Sequence, residues 1–405
     1  MDLYEILKNV IKNKLEIISW GCALNRNVKE TFEQCYHFCF DSAECQNVDS
    51  FLLRIDTVID YLHDELNMGH WSEVPLDARK AFTGASFLKA LVILRSENGA
   101  TPENIEKALK SVDLGLLLGA PLHDNSELLT QTAVLLTSKL VANPIERTSK
   151  RKTVDVKCTD SFKKLSGTEV KCLQCPIIEQ FNKAYYLPQI PVKLVECISH
   201  WPASKKWLDL NYLLKVAGSR TVPIEIGSHY TDENWTQKLM SLRDFIKDHY
   251  LGEAKSIGYL AQHNLFDQIS ELRDDIRIPD YCALSRNYDD SSEPDINAWF
   301  GPEGTVSPLH YDPKDNLLAQ VYGTKQILLY SPMDSDKLYP HKDKLLFNTA
   351  QVDPYAPEIE KFPKFSSTTA YKCLLKPGEM LYIPLKWWHH VTALDKSFSV
   401  SFWWK

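Results

Sequence analysis

Apolar residues recur at three- and four-residue spacing from Ser86 to Leu94 and from Asn104 to Leu118. That period lines up one face of a helix, and Gly119-Ala120-Pro121 ends the second segment. Residues 1–142 are therefore read as an all-helical domain. It carries no recognisable chemistry, so its expected role is to bind protein partners. Between Asn143 and Lys171 large apolar residues become scarce, while Arg147, Lys150, Arg151, Lys152, Lys157, Lys163 and Lys164 accumulate. A solvated basic linker is expected over 143–175, with a low-specificity nuclear-import pattern at Lys150-Arg151-Lys152.

From Ile177 onward comes a further segment containing Pro202, Trp207, Tyr212 and a strand-like stretch. Thr221 to Ile226 reads as a strand in which Glu225 alternates with Ile224 and Ile226. Asn316 to Tyr322 and Lys325 to Tyr330 read as two strands of a hairpin joined at Gly323-Thr324. Lys325 then shares a face with Ile327 and Leu329. A lysine on an apolar face is costly unless it snorkels to water or meets an anion. In the last strand Phe398, Val400 and Phe402 alternate with Ser397, Ser399 and Ser401. The serine face is expected to leave room for a ligand, with Trp403 either walling that cavity or packing. Helices first and strands afterwards make the fold class α+β.

Composition narrows the function classes. The 405 residues are 44% apolar, enough for two domains with ordinary cores. A net charge of -7 argues against a general nucleic-acid surface. The sequence has no run near the roughly eighteen apolar residues a membrane helix needs. Met1-Asp2-Leu3-Tyr4-Glu5 is charged too early for a secretory signal. The expectation is a soluble intracellular protein that binds neither membrane nor nucleic acid directly. The ten cysteines fit reduced, mostly packed thiols. Cys35/Cys39 and Cys172/Cys175 each lack a partner pair with zinc-site spacing.

The candidate chemistry lies in the last hundred residues. His310 and Asp312 leave the same face of an extended strand while Tyr311 turns away. With His389 they make two imidazoles and one carboxylate, the ligand set of a facial iron site with open positions. The turn Gly301-Pro302-Glu303-Gly304 precedes the first pair, and Lys376-Pro377-Gly378-Glu379 precedes the second histidine. His389 and His390 are strand neighbours and point to opposite faces, so only one can join the set.

These residues resemble the JmjC-domain oxygenases, a branch of the cupin superfamily. The match is carried by His310/Asp312, Lys325, Pro377-Gly378-Glu379 and Trp388-His389. Thr221 to Glu225, Gly258 to His263, Ile296 to Pro302 and Ser397 to Trp404 extend it. It is strong over the last half of the chain and loose before that. The resemblance implies a double-stranded β-helix, with a catalytic domain over 176–405 and a JmjC core at about 258–405. It selects His389 as the distal ligand and implies Fe(II), 2-oxoglutarate and O2 as cofactors. Lys325 would pair with the distal carboxylate of 2-oxoglutarate, helped by Tyr259, Ser307 and Asn316. A buried dicarboxylate needs such a cation and neutral donors. Substrate oxidation would release succinate and CO2.

The resemblance also places Glu225 where a basic side chain is received; Trp299 and Trp403 are the other candidate substrate contacts. A salt bridge from Glu225 to Arg220 or Arg243 is the structural alternative. Asp289, Asp290, Glu293 and Asp295 form an acidic loop that either attracts basic peptides or is simply solvated. Two reactions are implied, hydroxylation of a protein arginine and demethylation of a histone methyl-lysine. A carboxylate suits a planar guanidinium better than an ammonium, and the chain has no Cys/His-rich reader module, so arginine is favoured. A catalytically inactive scaffold and a histone-tail peptidase are the remaining alternatives. The family places the protein in the nucleus, with the cytoplasm as a second compartment.

Overall fold

A computed structural model describes residues 2–405 except 43–46, 69–73, 97–98, 142–158, 228–229, 232–234, 253–255, 287–291 and 345. The basic tract Lys150-Arg151-Lys152 and the acidic Asp289 and Asp290 lie outside the described residues. The chain divides into two compact units. Among the described residues no helix is long and apolar enough to cross a membrane.

The first unit holds α1 (Leu3–Lys8), α2 (Lys14–Ser19), α3 (Arg26–Phe40), α4 (Val48–Asn67), α5 (Leu76–Leu94), α6 (Pro102–Leu118) and α7 (Leu128–Thr137). The periodic segments Ser86 to Leu94 and Asn104 to Leu118 fall inside α5 and α6. Ala81, Phe82, Ala85, Phe87, Leu88, Leu91 and Val92 of α5 are all buried, so this helix is the centre of the bundle. α6 begins with Thr101 Oγ1 accepting from the Asn104 amide and with Pro102 in its first turn. A Cβ on Gly115 would lie 2.7 Å from Ser86 Cβ, so glycine is what lets α6 approach α5 this closely. Cys35 and Cys39 are buried core thiols, and burial pushes Cys35 up to about 12.

Two later pieces of chain, Leu214–Val222 and Asp267–Ser270, belong to this unit. They bring Arg220 to Asp113 as a fully buried pair at 2.7 Å. Gln268 Nε2 donates to the same carboxylate at 2.9 Å, and the Thr221 amide at 2.7 Å. Arg220 is thus committed to Asp113.

Among the described residues the second unit is built on fourteen strands, one of which, Thr221–Ile226, starts in the first unit. They begin with β1 (Gly167–Glu169), β2 (Cys172–Gln174), β3 (Val192–Val195), β4 (Thr221–Ile226), β5 (Thr236–Ser241) and β6 (Gly258–His263). Next come β7 (Asp295–Gly301), β8 (Val306–Tyr311), β9 (Asp315–Tyr322) and β10 (Lys325–Tyr330). Last are β11 (Ala370–Leu375), β12 (Met380–Ile383), β13 (Trp388–Ala393) and β14 (Ser397–Trp404). One sheet runs β1-β11-β10-β13-β8, and the other β2-β3-β12-β9-β14-β7-β6-β4-β5. From β8 onward the chain passes repeatedly between the two sheets. This is the α+β, double-stranded β-helix architecture expected from the sequence.

Three expectations need correction. β9 and β10 are not a hairpin. β9 pairs with β12 and β14, and β10 with β11 and β13, so the Gly323-Thr324 turn carries the chain from one sheet to the other. Gly323 has φ +76°, and a Cβ there would lie 2.5 Å from the Lys396 carbonyl oxygen. A turn signal announces a change of direction but not the partner of the next strand.

The described part of the expected linker is structured. α8 (Asp160–Lys164) buries Phe162 and is capped by the Thr159 hydroxyl. β1 adds in parallel to β11, and β2 in parallel to β3. Both strands are short, polar and largely exposed. Backbone hydrogen bonds tie them down, and no side-chain alternation marks them.

The serine face of β14 is not an open cavity lining. β14 lies between β7 and β9 and is buried almost throughout. Phe398 stacks on Trp207 with centroids 4.3 Å apart, and Phe402 meets Trp201 edge-on. On the other face Ser399 donates to Gln320 Oε1 at 2.8 Å, and the Ser401 hydroxyl accepts from Trp299 Nε1 at 2.9 Å.

Candidate functional site

β8 and β13 are antiparallel neighbours, with His389 opposite His310. The i, i+2 relation brings Asp312, just past the end of β8, to the same side as His310. Ligand atoms of His310, Asp312 and His389 all lie within 4.8 Å of one another. Asp312 Oδ1 stands 3.8 Å from His310 Nε2, and Oδ2 stands 3.5 Å from His389 Nε2.

The backbone fixes the histidine tautomers. His310 Nδ1 faces the Pro308 carbonyl at 2.7 Å, and His389 Nδ1 the Trp387 carbonyl at 3.0 Å. A carbonyl only accepts, so each Nδ1 carries the proton and each Nε2 lone pair is presented to the shared point. Burial, reinforced by neighbouring His310, lowers His389 to about 4. Its neutral, ligand-competent form therefore dominates at physiological pH. Asp312 Oδ2 is buried with no hydrogen-bond partner. Two aligned lone pairs and an unsatisfied carboxylate oxygen fit a divalent cation. His390 faces the other way, 5.1 Å from the Tyr355 ring.

A pocket of about 350 Å³ opens beside these groups. The five-stranded sheet contributes Ser307, His310, Lys325, His389 and Val391. The nine-stranded sheet contributes Tyr259, Trp299, Asn316, Leu318 and Ile383, and Asp312 completes the lining. Lys325 is almost fully buried and donates to the Tyr259 hydroxyl at 3.2 Å. Desolvation alone lowers its pKa to about 7. Burial raises Tyr259. Asn316 Oδ1 is buried and unpartnered. One pocket thus collects a buried lysine, a phenol, a hydroxyl and an amide with N–H groups to donate, which suit a small dicarboxylate.

Glu225 and Trp403 do not line this pocket. Glu225 is half-buried, opposite Tyr259 in the β4–β6 register, and accepts from Trp235 Nε1 at 3.3 Å. Burial raises its carboxyl, and the Trp235 bond partly offsets that. Trp403 has a buried indole N–H without a partner. Trp299 does line the pocket, held by Ser401.

Sequence reasoning missed the support behind the site. Asp315 pairs with Arg286, accepts from the Tyr382 hydroxyl at 2.8 Å, and accepts from the Leu385 amide at 3.1 Å. The Lys386 amide donates to the Asp312 carbonyl at 3.0 Å, with Lys386 at φ 63°. The β12–β13 connection is thereby tied to both Asp312 and the start of β9. An aspartate opening a wholly buried strand was the available signal. Tyr230, edge-on to His310 with centroids 6.4 Å apart, carried no signal.

Residues 178–405 match the family described as a cupin-like domain. Lysine-specific demethylase 8 of Danio rerio is 45% identical over 363 residues, covering 87% of each chain. The protein of that name from Xenopus tropicalis is 42% identical over 395 residues, covering 86% of this chain and 87% of its own. Jumonji C domain-containing protein 5 of Drosophila melanogaster is 41% identical over 365 residues, covering 87% and 86% respectively. With both the domain match and near-full-length relatives in agreement, the chain belongs to the cupin-like JmjC family.

Proposed function

We propose that this protein is an Fe(II)- and 2-oxoglutarate-dependent oxygenase that hydroxylates an arginine side chain in protein substrates. Its family makes the chain a 2-oxoglutarate-dependent dioxygenase; the residue roles and the substrate are our reading. His310, Asp312 and His389 would hold the metal through Nε2, a carboxylate oxygen and Nε2. When bound, the iron supplies the oxidative chemistry of the reaction.

The protein's own groups bind and orient. Lys325 neutralises the far carboxylate of 2-oxoglutarate, Tyr259 and Ser307 donate to it, and the Asn316 amide meets its polar edge. Leu318, Ile383 and Val391 keep water from the pocket wall. The observation that carries the cosubstrate assignment is the buried Lys325, which donates to the neutral Tyr259 hydroxyl.

Arginine is favoured by Glu225. Arg220, one candidate to neutralise it, is engaged by Asp113, and the group modulating the Glu225 carboxyl is an indole N–H rather than a cation. A carboxylate so placed suits the fork of a guanidinium. Methyl-lysine is the second reading, supported by the name lysine-specific demethylase of the fish and frog relatives. Either substrate would be a protein or peptide with a basic side chain, met in the nucleus or also in the cytoplasm.

The deciding experiment loads the protein anaerobically with Fe(II) and 2-oxoglutarate, admits air, and measures succinate with arginine-containing or methyl-lysine peptides. Arginine-dependent succinate with a peptide gain of one oxygen supports the proposal. Formaldehyde from the methyl-lysine peptide favours demethylation. Metal binding without turnover of either peptide points to a scaffold.

A further inference from the structure

Far along the chain from the metal ligands, Cys175 follows β2 and Cys197 follows β3, at the outer edge of the nine-stranded sheet. Both are free thiols; Cys175 is exposed and Cys197 half-buried. One carbonyl holds them together. The Val195 oxygen accepts from the Cys175 amide at 3.0 Å and from Cys197 Sγ at 3.5 Å. Cys175 has φ 30° and Glu196 φ 64°, so the chain leaves the strand geometry at both positions. Cys175 bears on the ionisation of Cys197, and the Tyr281 hydroxyl stands beside Cys197. That hydroxyl lies 3.9 Å from Cys197 Sγ and donates to the Pro176 carbonyl at 2.6 Å, pinning the residue after Cys175.

We propose that Cys175 and Cys197 are a reversible disulfide site that locks β2 to β3 when the protein meets a glutathione-type disulfide. β2 and β3 run parallel with Gln174 opposite Val195, so the residues just past the two strand ends lie side by side, within reach of a disulfide. The exposed Cys175 meets the oxidant. Its thiolate attacks glutathione disulfide, forming a mixed disulfide and releasing one glutathione thiolate, which takes up a proton. Cys197 then gives up its proton and attacks the Cys175 sulfur, expelling the second glutathione. Two protein thiols and one glutathione disulfide become one protein disulfide and two glutathione thiols, so atoms and electrons balance. Burial pushes Cys197 up to about 12, which keeps it a thiol until its partner has reacted.

The bond would close the segment 176–196, which supports the metal strand from outside. Within it the Gln189 carbonyl accepts from Trp387 Nε1 at 2.9 Å, and the Tyr186 carbonyl from Arg286 Nη2 at 3.0 Å. Trp387 is two residues from His389. Closing the loop restricts the unfolded chain, so the oxidised protein should melt at a higher temperature.

The test uses the reduced full chain incubated with glutathione disulfide, blocked with N-ethylmaleimide and digested without reduction. The expected product is a peptide pair joined through Cys175 and Cys197, released by dithiothreitol and accompanied by a raised melting temperature. In Cys197→Ser the mixed disulfide has no resolving thiol, so Cys175 should retain glutathione and the rise in melting temperature should vanish. Maleimide on both cysteines of the wild type, under conditions that load glutathione onto the variant, would overturn the proposal. So would a Cys172–Cys175 cross-link, or a Cys175 that takes no glutathione in the variant. Every readout is a mass or a melting temperature, so the result is independent of the oxygenase reading.

Discussion

Lys325 Nζ meets the Tyr259 hydroxyl at 3.2 Å in a pocket where burial holds the lysine near pH 7. The charged form, present below that value, is the one that suits a dicarboxylate. Above about pH 7 the lysine must take up a proton when 2-oxoglutarate binds. The dissociation constant should then rise with pH, approaching about tenfold per unit. Calorimetry in buffers of different ionisation heat should show proton uptake at pH 8 and little at pH 6. The ligand-free protein should respond oppositely. A lysine whose folded pKa lies below its unfolded value binds fewer protons in the native state between about pH 7 and its ordinary value near 10.5. This group therefore adds stability as pH rises through that window. Equal 2-oxoglutarate affinity at pH 6 and pH 8.5 would contradict the clamp.

His389 and His390 should separate cleanly. His389→Ala removes a buried nitrogen whose lone pair is aligned by the Trp387 carbonyl, and Fe(II) affinity should fall by at least about 100-fold. His390→Ala alters a ring packed against Tyr355 and should leave metal affinity within a few-fold. Metal titration under anaerobic conditions checks both, and loss of iron from His390→Ala alone would show the register argument to be wrong.

Glu225→Gln keeps the shape and the acceptor for Trp235 but removes the charge. If Glu225 receives a guanidinium, kcat/KM for an arginine peptide should drop by about 10- to 100-fold, the worth of a charge-assisted hydrogen bond. Peptide-independent 2-oxoglutarate consumption should persist. Unchanged arginine turnover would return Glu225 to a structural role.

In the helical unit, Asp113→Ala strips the buried Arg220 of its counter-charge and leaves the Gln268 amide and the Thr221 N–H without that acceptor. A loss of about 3–5 kcal/mol is expected, read as a shift in urea midpoint. A variant with Asp113→Leu and Arg220→Met together should recover much of it, because no lone buried charge remains.

The parts of the fold legible from sequence were those with a period. α5 and α6 announce themselves by spacing, and the i, i+2 relation of His310 and Asp312 needs only the geometry of a strand. What brings His389 to them is the pairing of β13 with β8, which no local pattern encodes; a family resemblance supplied that reading. The same blindness explains the hairpin that is not one, since Asn316 to Tyr322 and Lys325 to Tyr330 look alike whether they pair with each other or with others. β1 and β2 escaped notice because three exposed polar residues bound by backbone alone have no amphipathic signature. The serines of β14 misled because small polar residues on an inner face can hold Gln320 and Trp299 as readily as they can leave space.

The crossing at Gly323 gives this pocket a mechanical character. Asn316 and Lys325 stand close in sequence, yet one belongs to each sheet, and both face the same space. A molecule gripped by the two would act as a further cross-brace between layers already joined by the crossing chain and by the Lys325–Tyr259 hydrogen bond. Cosubstrate occupancy should therefore stiffen the barrel as a whole, slowing amide exchange in strands such as β11 that never touch it.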